Sequence, residues 1–526
     1  MGSQYVLSLN AINCQNGDTL AQEQATAPAK EKVLNALGDA ATHLRRHLGE
    51  SLATVQKFDV PLSQATTPSL EALKAFSLGV RAGLQKSTKQ SIAYYEKAVQ
   101  LDPNFAAAYR GLASGYASLA ETGRASEYLG KAFELRHHAS ERERLAIAAD
   151  YYRFVSGELD KAAQTYQEWI ESYPREDAAY NSLAITYASL GQYEKAAEAN
   201  RQALRLAPDV GGPYMNLGNT LLAQQLVSAA RTTEETALAR KLDDYILRNE
   251  LYAVAFLNKD NISLDEQRAW FQKHPDSEHF GLALDADTEA YAGHLRKSRE
   301  LTARAVESAK RADSLENAAI WKENAAIVEA AFGNPAQARN YAHDGLRMAA
   351  ASQGVQLEAA LALAMAGETS EAQALAKRLD QQFPVDTQVQ SLWLPTIHGQ
   401  LAIHAHTPDA AIDSLQPVGS LNFAQIQFVN NLSCGYSAYI RGQAYLAAGK
   451  GDAAAVEFQK LVDHSGIVWN CWTGALAHLG LARAFRSSGD SAKARASYDS
   501  FLALWKDADS DIPLLKMAKA EQGNLK

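Results

Sequence analysis

Apolar and small residues recur along most of the chain at spacings of three and four residues, with polar residues between them. In the stretch Asp177–Val210, the residues Tyr180, Leu183 and Tyr187 fall on one face of a predicted helix. A second amphipathic stretch follows and ends at Pro208, because proline cannot continue a helix. The pattern predicts a hairpin of two antiparallel helices that pack along an apolar seam.

Glycine and proline residues indicate that this hairpin is repeated. Glycines at 123, 157 and 191 are 34 residues apart (157 − 123 = 34; 191 − 157 = 34), and the prolines at 174 and 208 keep the same interval. A period of 34 is typical of the tetratricopeptide repeat, whose first helix carries a W-x2-L-G-x2-Y signature. We therefore predict regular repeats over residues 69–243. The glycines expected in the turns are Gly123, Gly157, Gly191, Gly333 and Gly367.

The hairpin pattern loosens in the second half of the chain but does not stop. Degenerate tetratricopeptide-like hairpins are predicted over residues 244–508, with irregular ones near 245–275 and 385–433. A short helix within residues 509–526 is predicted to cap the array. The periodicity thus extends the helical architecture almost to the last residue.

The N-terminal region has a different pattern. Residues 4–13 alternate apolar and polar side chains, a turn signal follows at Gly17, and residues 19–27 can return as the partner strand. An amphipathic helix comes next. Residues 1–50 are therefore predicted to form a β-hairpin and a helix, the remnant of a small β/α domain, and residues 51–68 a linker. We expect the chain to begin partway through that domain.

Together these patterns predict an all-α fold, a right-handed tetratricopeptide-repeat superhelix (α-solenoid), with a short N-terminal β-hairpin plus helix. The net charge of −9 is spread along the chain, and no basic stripe indicates binding to nucleic acid. No apolar run approaches the roughly 20 residues of a membrane span, so direct membrane insertion is not expected.

The residue types that bind metals or form disulfides give no positive prediction. Cys14, Cys434 and Cys471 are far apart and form no CxxC pair, which favours buried or incidental thiols over a disulfide or a zinc site. Three histidines fall within residues 398–406, without the spacing or carboxylate partners typical of a metal site. We predict no metal and no cofactor.

Two segments that flank the repeats add a family resemblance. The segment "GESLATVQKFDVPLSQATTPSLEALKAFSLG" (residues 49–79) and the ending "LWKDADSDIPLLKMAKAE" (residues 504–521) resemble the C-terminal regions of large bacterial, acidobacterial-type serine/threonine protein kinases with tetratricopeptide repeats. Residues 2–24 resemble the closing hairpin of a small β/α domain between kinase and repeats in those proteins. The sequence has no GxGxxG loop, VAIK-type lysine, HRD loop or DFG motif, so the resemblance transfers no catalytic residue.

Stacked repeats expose a concave face lined by their first helices, and this face is the predicted binding groove. In the tetratricopeptide repeats that this chain resembles, ligands contact defined positions of the first helix. Those positions carry Arg110, Ser114, Asn181, Ile185, Met215, Asn216 and Asn219 here. A row of asparagines can bond the backbone of an extended peptide. A clamp for a C-terminal carboxylate also needs lysine partners, and a solvated groove without a fixed ligand stays open as an alternative.

The sequence therefore predicts a noncatalytic interaction scaffold that binds protein or peptide partners on its concave face, in bacterial signalling. Two alternatives are a regulatory or sensor arm of a serine/threonine kinase whose catalytic domain is missing, and a self-assembly module. Trp393, Trp469 and Trp472 are expected in the core rather than on a ligand platform. Localisation and oligomeric state are not predicted, since the side of a membrane would depend on an upstream segment.

Overall fold

The computed structural model describes residues 4–13, 16–50, 66–84, 87–426 and 431–525. About three quarters of the chain is helical, and the helices follow one another in tandem as an α-solenoid. This confirms the predicted fold class and its short N-terminal hairpin. The chain divides into two compact units. The first unit comprises the described residues up to Val155 with Glu171–Tyr173, and the second comprises Ser156–Ile170 with the described residues from Pro174 onward.

The first unit begins with the predicted β-hairpin. Strands β1 (Tyr5–Ile12) and β2 (Thr19–Ala27) pair antiparallel, with Tyr5 opposite Ala27. A two-stranded hairpin is marginal in water by itself. Helix α1 (Val33–His47) packs against both strands and gives the hairpin a covered face. Most of the predicted linker, residues 51–65, lies outside the described residues.

The other helices of the first unit follow the hairpin prediction. Helix α2 packs on α3 and α4 on α5, and α6 comes next along the chain. Their bounds are α2 (Leu70–Leu84), α3 (Thr88–Leu101), α4 (Ala106–Ala117), α5 (Thr122–Glu134) and α6 (Glu141–Phe154). The rings of Tyr95 and Phe105 lie 5.5 and 5.0 Å from that of Phe76, which joins the first pair to the second. A capping box of Ser140 and Glu143 begins α6.

The second unit continues with regular helical pairs. Their bounds are α7 (Leu159–Ser172), α8 (Asp177–Ser189), α9 (Tyr193–Leu206), α10 (Gly211–Ala223), α11 (Val227–Ala239), α12 (Tyr245–Leu257), α13 (Asn261–Gln272), α14 (Glu278–Tyr291), α15 (Leu295–Arg311), α16 (Leu315–Phe332), α17 (Pro335–Met348), α18 (Gln353–Ala366) and α19 (Thr369–Gln382). Residues 245–275 hold the ordinary pair α12 and α13, so the expectation of an irregular hairpin there is wrong.

The pairing becomes irregular after α19, as predicted for residues 385–433. A π-helical turn (Val389–Trp393) leads into α20 (Leu394–His404), a short α21 (Pro408–Ser414) and a 3-10 segment (Gln416–Phe423). Regular pairs then resume. Their helices are α22 (Tyr436–Ala447), α23 (Gly451–Asp463), the short α24 (Ser465–Val468), α25 (Trp472–Ser487), α26 (Ser491–Leu504) and the final α27 (Pro513–Gly523).

Most of the predicted turn glycines adopt the backbone conformation that a turn needs. Left-handed backbone with φ of 69°, 72°, 93° and 86° occurs at Gly157, Gly191, Gly333 and Gly367. Gly123 was wrongly assigned, because it lies inside α5 and Ala120, at φ 56°, makes that turn instead. The spacing of 34 residues cannot distinguish a turn glycine from a helical glycine three positions later.

The end of helix α8 is capped by chain that follows about 200 residues later. The last turn of a helix leaves carbonyl oxygens without partners inside the helix. The backbone N–H of Gln425 donates to the Ala188 carbonyl (3.0 Å), and the Gln388 amide donates to the Ser189 carbonyl (2.9 Å). The irregular region therefore adds hydrogen-bond donors to the carbonyl groups at the end of this regular helix.

The end of helix α14 is capped in the same way by the closing segment of the chain. The indole N–H of Trp505 donates to the Tyr291 carbonyl (2.9 Å), and the backbone N–H of Asp509 donates to the Gly293 carbonyl (3.0 Å). The Trp505 side chain is 1% exposed. The second unit is thus held by long-range contacts in addition to the stacking of neighbouring repeats.

A disulfide joins Cys434 and Cys471, with sulfurs 2.05 Å apart. The prediction of free thiols is therefore wrong for this pair, and Cys14 lies outside the described residues. The two cysteines are separated by 37 residues, a spacing with no recognisable motif. Only the folded chain brings Cys434, two residues before α22, next to Cys471 at the start of α25. The three late tryptophans lie in the core as predicted, each 2–3% exposed.

Candidate functional site

Two of the predicted groove residues lie on helix α4 in the first unit. Arg110 is already engaged, because its Nε donates to Asp150 on α6 at 2.8 Å. Ser114, one turn further along, is exposed. A ligand carboxylate at Arg110 would therefore have to share the guanidinium with Asp150.

The other five predicted residues lie on neighbouring first helices in the second unit. The Asn216 amide on α10 donates to the Asn181 Oδ1 on α8 at 2.8 Å. Both side chains are half-buried, and the Asn181 Nδ2 and the Asn216 Oδ1 have no hydrogen-bond partner within the described ranges. The pair thus presents one free donor and one free acceptor side by side.

Apolar side chains flank this asparagine pair. Ile185 lies one turn beyond Asn181 on α8 and is half-buried. Met215, beside Asn216 on α10, is half-buried and packs partly against the core cluster that contains Tyr214. The first-helix face at α8 and α10 therefore combines a polar pair with partly exposed aliphatic surface.

Asn219 lies apart from that pair. It is 9% exposed, whereas the prediction placed it in the same accessible row as Asn216. Asn219 follows Asn216 by three residues, so its side chain leaves the helix about 60° away from that of Asn216. This difference turns Asn219 toward the interior. There it lies beside Glu250 and favours the ionised form of that carboxyl.

Two buried glutamates meet beneath helix α10. Glu234 on α11 and Glu250 on α12 are each 0% exposed. Gly218 makes room for both, because a Cβ built there would lie 2.7 Å from a Glu250 oxygen and 3.0 Å from a Glu234 oxygen. Neither Glu234 oxygen has a hydrogen-bond partner in the described part of the chain. Gly218 has no side chain, and the space this leaves is filled by the two carboxyl groups.

The buried pair retains protons that exposed glutamates would lose. Burial raises the pKa of Glu234 to about 8, the charge of Glu235 adds to the rise, and Arg231 opposes it. Burial also raises the pKa of Glu250 well above its usual range, and the nearby Glu234 raises it further. At neutral pH the pair therefore holds at least one proton in the folded state.

This buried pair was not predicted from the sequence, because isolated glutamates in helices rich in alanine and glutamate look like surface residues. One signal was available. Glu234 falls four residues after Ala230 and three before Ala237, and those two alanines are 0% and 1% exposed. A glutamate that lies on the same helix face as buried alanines, three or four residues from them, is therefore a candidate for burial.

The described residues contain no group of three or more histidine, cysteine, aspartate or glutamate side chains arranged to hold a metal ion. Within those same residues, no helix has the length and apolar character that crossing a membrane requires.

Comparison with known proteins identifies tetratricopeptide repeats in the chain. A family model described as tetratricopeptide repeat matches residues 178–210, and a second with the same description matches residues 83–105. No curated protein matches the sequence. The repeats predicted from the 34-residue period are thus recognised independently within both units.

Solved structures of known proteins align with about a third of the chain. The protein in "Crystal structure of MamA protein" is 21% identical, with 32% of this chain and 92% of that chain covered and a TM-score of 0.21. YrrB, titled a TPR protein with an unusual peptide-binding site, is 18% identical, with coverages of 34% and 89% and a TM-score of 0.22. PilW, titled a type IV pilus biogenesis factor, is 17% identical, with coverages of 39% and 94% and a TM-score of 0.29.

Proposed function

We propose that the chain is a noncatalytic scaffold that binds an extended peptide segment of a partner protein on the first-helix face of α8 and α10. The observation that carries this proposal is the bond between Asn216 and Asn181. It fixes both side-chain amides and leaves one donor and one acceptor available. An extended peptide presents backbone N–H and C=O groups that can pair with such amides.

The surroundings of the pair suit a peptide with an apolar side chain next to the bonded backbone. Ile185 and Met215 offer partly exposed aliphatic surface on either helix. Burying that surface would supply affinity, while the asparagines would fix the register of the peptide. Asn219 is not assigned a peptide contact in this proposal, because it is 9% exposed and lies beside the buried Glu250.

Arg110 and Ser114 belong to the first unit and are proposed as a separate contact surface. The ion pair between Arg110 and Asp150 holds the guanidinium in place. A partner carboxylate would add to this pair at the edge of α4, and Ser114 could donate a further hydrogen bond. Replacing Arg110 by Ala should weaken only those partners that carry an acidic group.

The test begins with peptides selected for binding to the parent protein from a random library. Calorimetric titration then compares the parent with Asn181→Ala, Asn216→Ala and Asn340→Ala. Asn340 is exposed on α17, a second helix, and serves as the matched control. We expect each groove variant to weaken binding about tenfold, since each removes hydrogen bonds to the peptide backbone, and the control to leave it unchanged. Equal binding by all four proteins would remove α8 and α10 from the proposal.

A second candidate function is a regulatory arm of a bacterial serine/threonine kinase. It rests on the resemblance of residues 49–79 and 504–521 to segments that flank the repeats in such proteins. The genomic DNA upstream of Met1 tests it directly. A kinase domain in the same reading frame supports the regulatory arm, and a reading frame that starts at Met1 behind a promoter contradicts it.

A third candidate, self-assembly, predicts that sedimentation velocity gives a mass that rises with protein concentration. A strictly monomeric mass at high concentration contradicts it.

A further inference from the structure

Two adjoining clefts in the second unit share the same three lining residues. Asp287 on α14 and Asn324 and Val328 on α16 line both clefts. The first cleft extends to Trp321, and the second extends to Tyr436 and Trp472. These residues come from four helices, α14, α16, α22 and α25, and not from the helices α8 and α10 that carry the asparagine pair. Each cleft has room for about one water-sized group.

Asp287 is a carboxylate without a partner at the junction of the clefts. No hydrogen bond or ion pair joins it to any side chain in the described ranges, and its half-buried side chain lines both clefts. Asp285, two residues earlier, is by contrast bound by Arg268 at 2.7 Å and by the Tyr252 hydroxyl at 2.8 Å. The chain thus neutralises one of two neighbouring carboxylates and leaves the other facing the cleft.

No basic side chain compensates Asp287 from within the clefts. Their described lining residues include no lysine, arginine or histidine. A second carboxyl group, that of Glu358 on α18, is 0% exposed behind Asn324. In the orientation that satisfies its hydrogen bonds, the Asn324 nitrogen lies 2.9 and 3.0 Å from the two Glu358 oxygens. The Asn324 carbonyl oxygen is then left as a second acceptor for a group in the cleft.

Aromatic side chains form the walls around these acceptors. The rings of Tyr436 and Trp472 stack with centroids 6.0 Å apart. Trp472 is fixed in place because it follows Cys471, which the disulfide ties to Cys434 at the same cleft. Aromatic faces attract organic cations and offer nothing to a hard metal ion, which takes several oxygen ligands. The cleft therefore combines an unpaired carboxylate, an amide oxygen and aromatic walls.

We propose that this cleft binds a primary ammonium group, carried by a lysine side chain of a partner peptide or by a small free amine. The ammonium head matches the water-sized space and would donate to Asp287 and to the Asn324 carbonyl. The aromatic walls would hold the methylene groups next to it. This site is independent of the peptide face at α8 and α10, so either can fail without the other.

Binding of the ammonium group is linked to a proton. Burial raises the pKa of Asp287 to about 7, and Asp287 in turn raises the pKa of the buried Glu358 further. Tyr436, the remaining titratable group of the cleft wall, is held neutral, because burial raises its pKa well above the usual range. An ammonium ion favours the ionised carboxylate, so affinity should rise with pH up to about 7 and then level off.

The experiment uses calorimetric titration of the full chain with n-butylammonium and with Nα-acetyl-lysine N-methylamide, beside tetramethylammonium and potassium chloride. Asp287→Asn keeps the shape of the side chain and removes its charge. Asp452→Asn removes an equally negative but exposed group of α23 and is the matched control. Thermal unfolding monitors folding, and Asp287→Asn should be no less stable than the parent, because it deletes a desolvated charge.

Saturable binding of both primary ammonium probes, weakened about tenfold or more by Asp287→Asn and unchanged by Asp452→Asn, is the expected result. Tighter binding of the lysine mimic than of n-butylammonium identifies a peptide side chain as the source, and the reverse identifies a small amine. No saturable binding at pH above 7, equal binding by Asp287→Asn, or equal binding of potassium ions would overturn the proposal.

Discussion

The regular repeats of α8 to α11 and the later hairpins of α14 to α27 contain similar helices held in place by different contacts. In the regular repeats, Leu183 and Tyr187 pack against adjacent helices, and the left-handed Gly191 makes the turn between them. In the later hairpins, the Trp505 indole reaches Tyr291, which is 214 residues earlier. The first region is specified by local periodicity, and the second by contacts that periodicity does not contain.

The comparison shows what a degenerate repeat gains when it loses the 34-residue pattern. A regular repeat leaves the carbonyls at its helix ends to water or to the next turn. In the second unit, later segments supply donors to those carbonyls at α8 and α14. Loss of periodicity there accompanies new long-range bonding, so we expect the second unit to be more cooperative than a simple stack of repeats.

Substitution of Trp505 by Ala should have the largest effect on stability. Trp505 is 1% exposed, packs on Phe332 with ring centroids 4.9 Å apart, and bonds the Tyr291 carbonyl. We expect a loss of about 3–5 kcal/mol in the free energy of unfolding, measured by urea denaturation. The control Trp270→Ala removes a half-buried tryptophan from the regular pair α12 and α13, and should cost clearly less. Equal losses would erase the distinction between the regions.

Removal of the disulfide should have the next largest effect. The double variant Cys434→Ser/Cys471→Ser opens a loop of 37 residues, which by chain entropy should cost about 2–4 kcal/mol. Thermal unfolding with and without reductant measures this loss. Reductant should destabilise the parent and leave the variant unchanged. A parent that does not respond to reductant would contradict a stabilising bond.

The buried glutamate pair predicts a pH dependence that arises within the regular repeats. The folded pKa of Glu234, about 8, lies above its ordinary value of 4.5, so the folded state binds the proton more tightly. The stabilising contribution is complete below about pH 4.5 and is lost as pH rises through about 8, by about 1.4 kcal/mol per pH unit.

Glu234→Gln should therefore flatten this pH dependence and raise stability at high pH. Glu235→Gln changes the exposed neighbour, which is paired with Arg231 at 3.1 Å, and is the matched control. Urea denaturation at several pH values measures both variants. A parent whose stability stays constant between about pH 5 and pH 8 would show that the pair is already ionised in the folded state.

The smallest effect is expected for Asn181→Ala. Its bond to Asn216 is half-buried, so the variant should lose only about 0.5–1 kcal/mol of stability, measured by urea denaturation. The same substitution should weaken peptide binding strongly. A large loss of stability would assign the asparagine pair to the packing of the repeats rather than to a partner.

Local pattern was sufficient to predict the solenoid, the N-terminal hairpin and the irregularity of residues 385–433. It was not sufficient where a conformation or a contact depends on residues that are far apart in the sequence. Gly123 has the right spacing, yet Ala120 makes the turn. The bond between Cys434 and Cys471 exists only because the fold brings the two residues together.

The candidate sites show the same limit. The adjacency of Asn181 and Asn216 follows from the repeat, since neighbouring first helices lie side by side and these two residues are 35 residues apart, one more than the period. The inward turn of Asn219 and the convergence of Glu234 and Glu250 at Gly218 depend on what the next helix places there. No pattern within one repeat contains that information.

Native-state hydrogen exchange across the second unit, followed by mass spectrometry in increasing urea, tests the central claim most directly. The backbone amides of α8 to α11 and of α22 to α26 should exchange through the same large unfolding event. It should become dominant in both regions at the same urea concentration and with the same free energy. That result would show that contacts over about 200 residues join the two regions into one cooperative unit. Independent opening of α8 to α11 at a clearly lower free energy, with the later hairpins still protected, would contradict it.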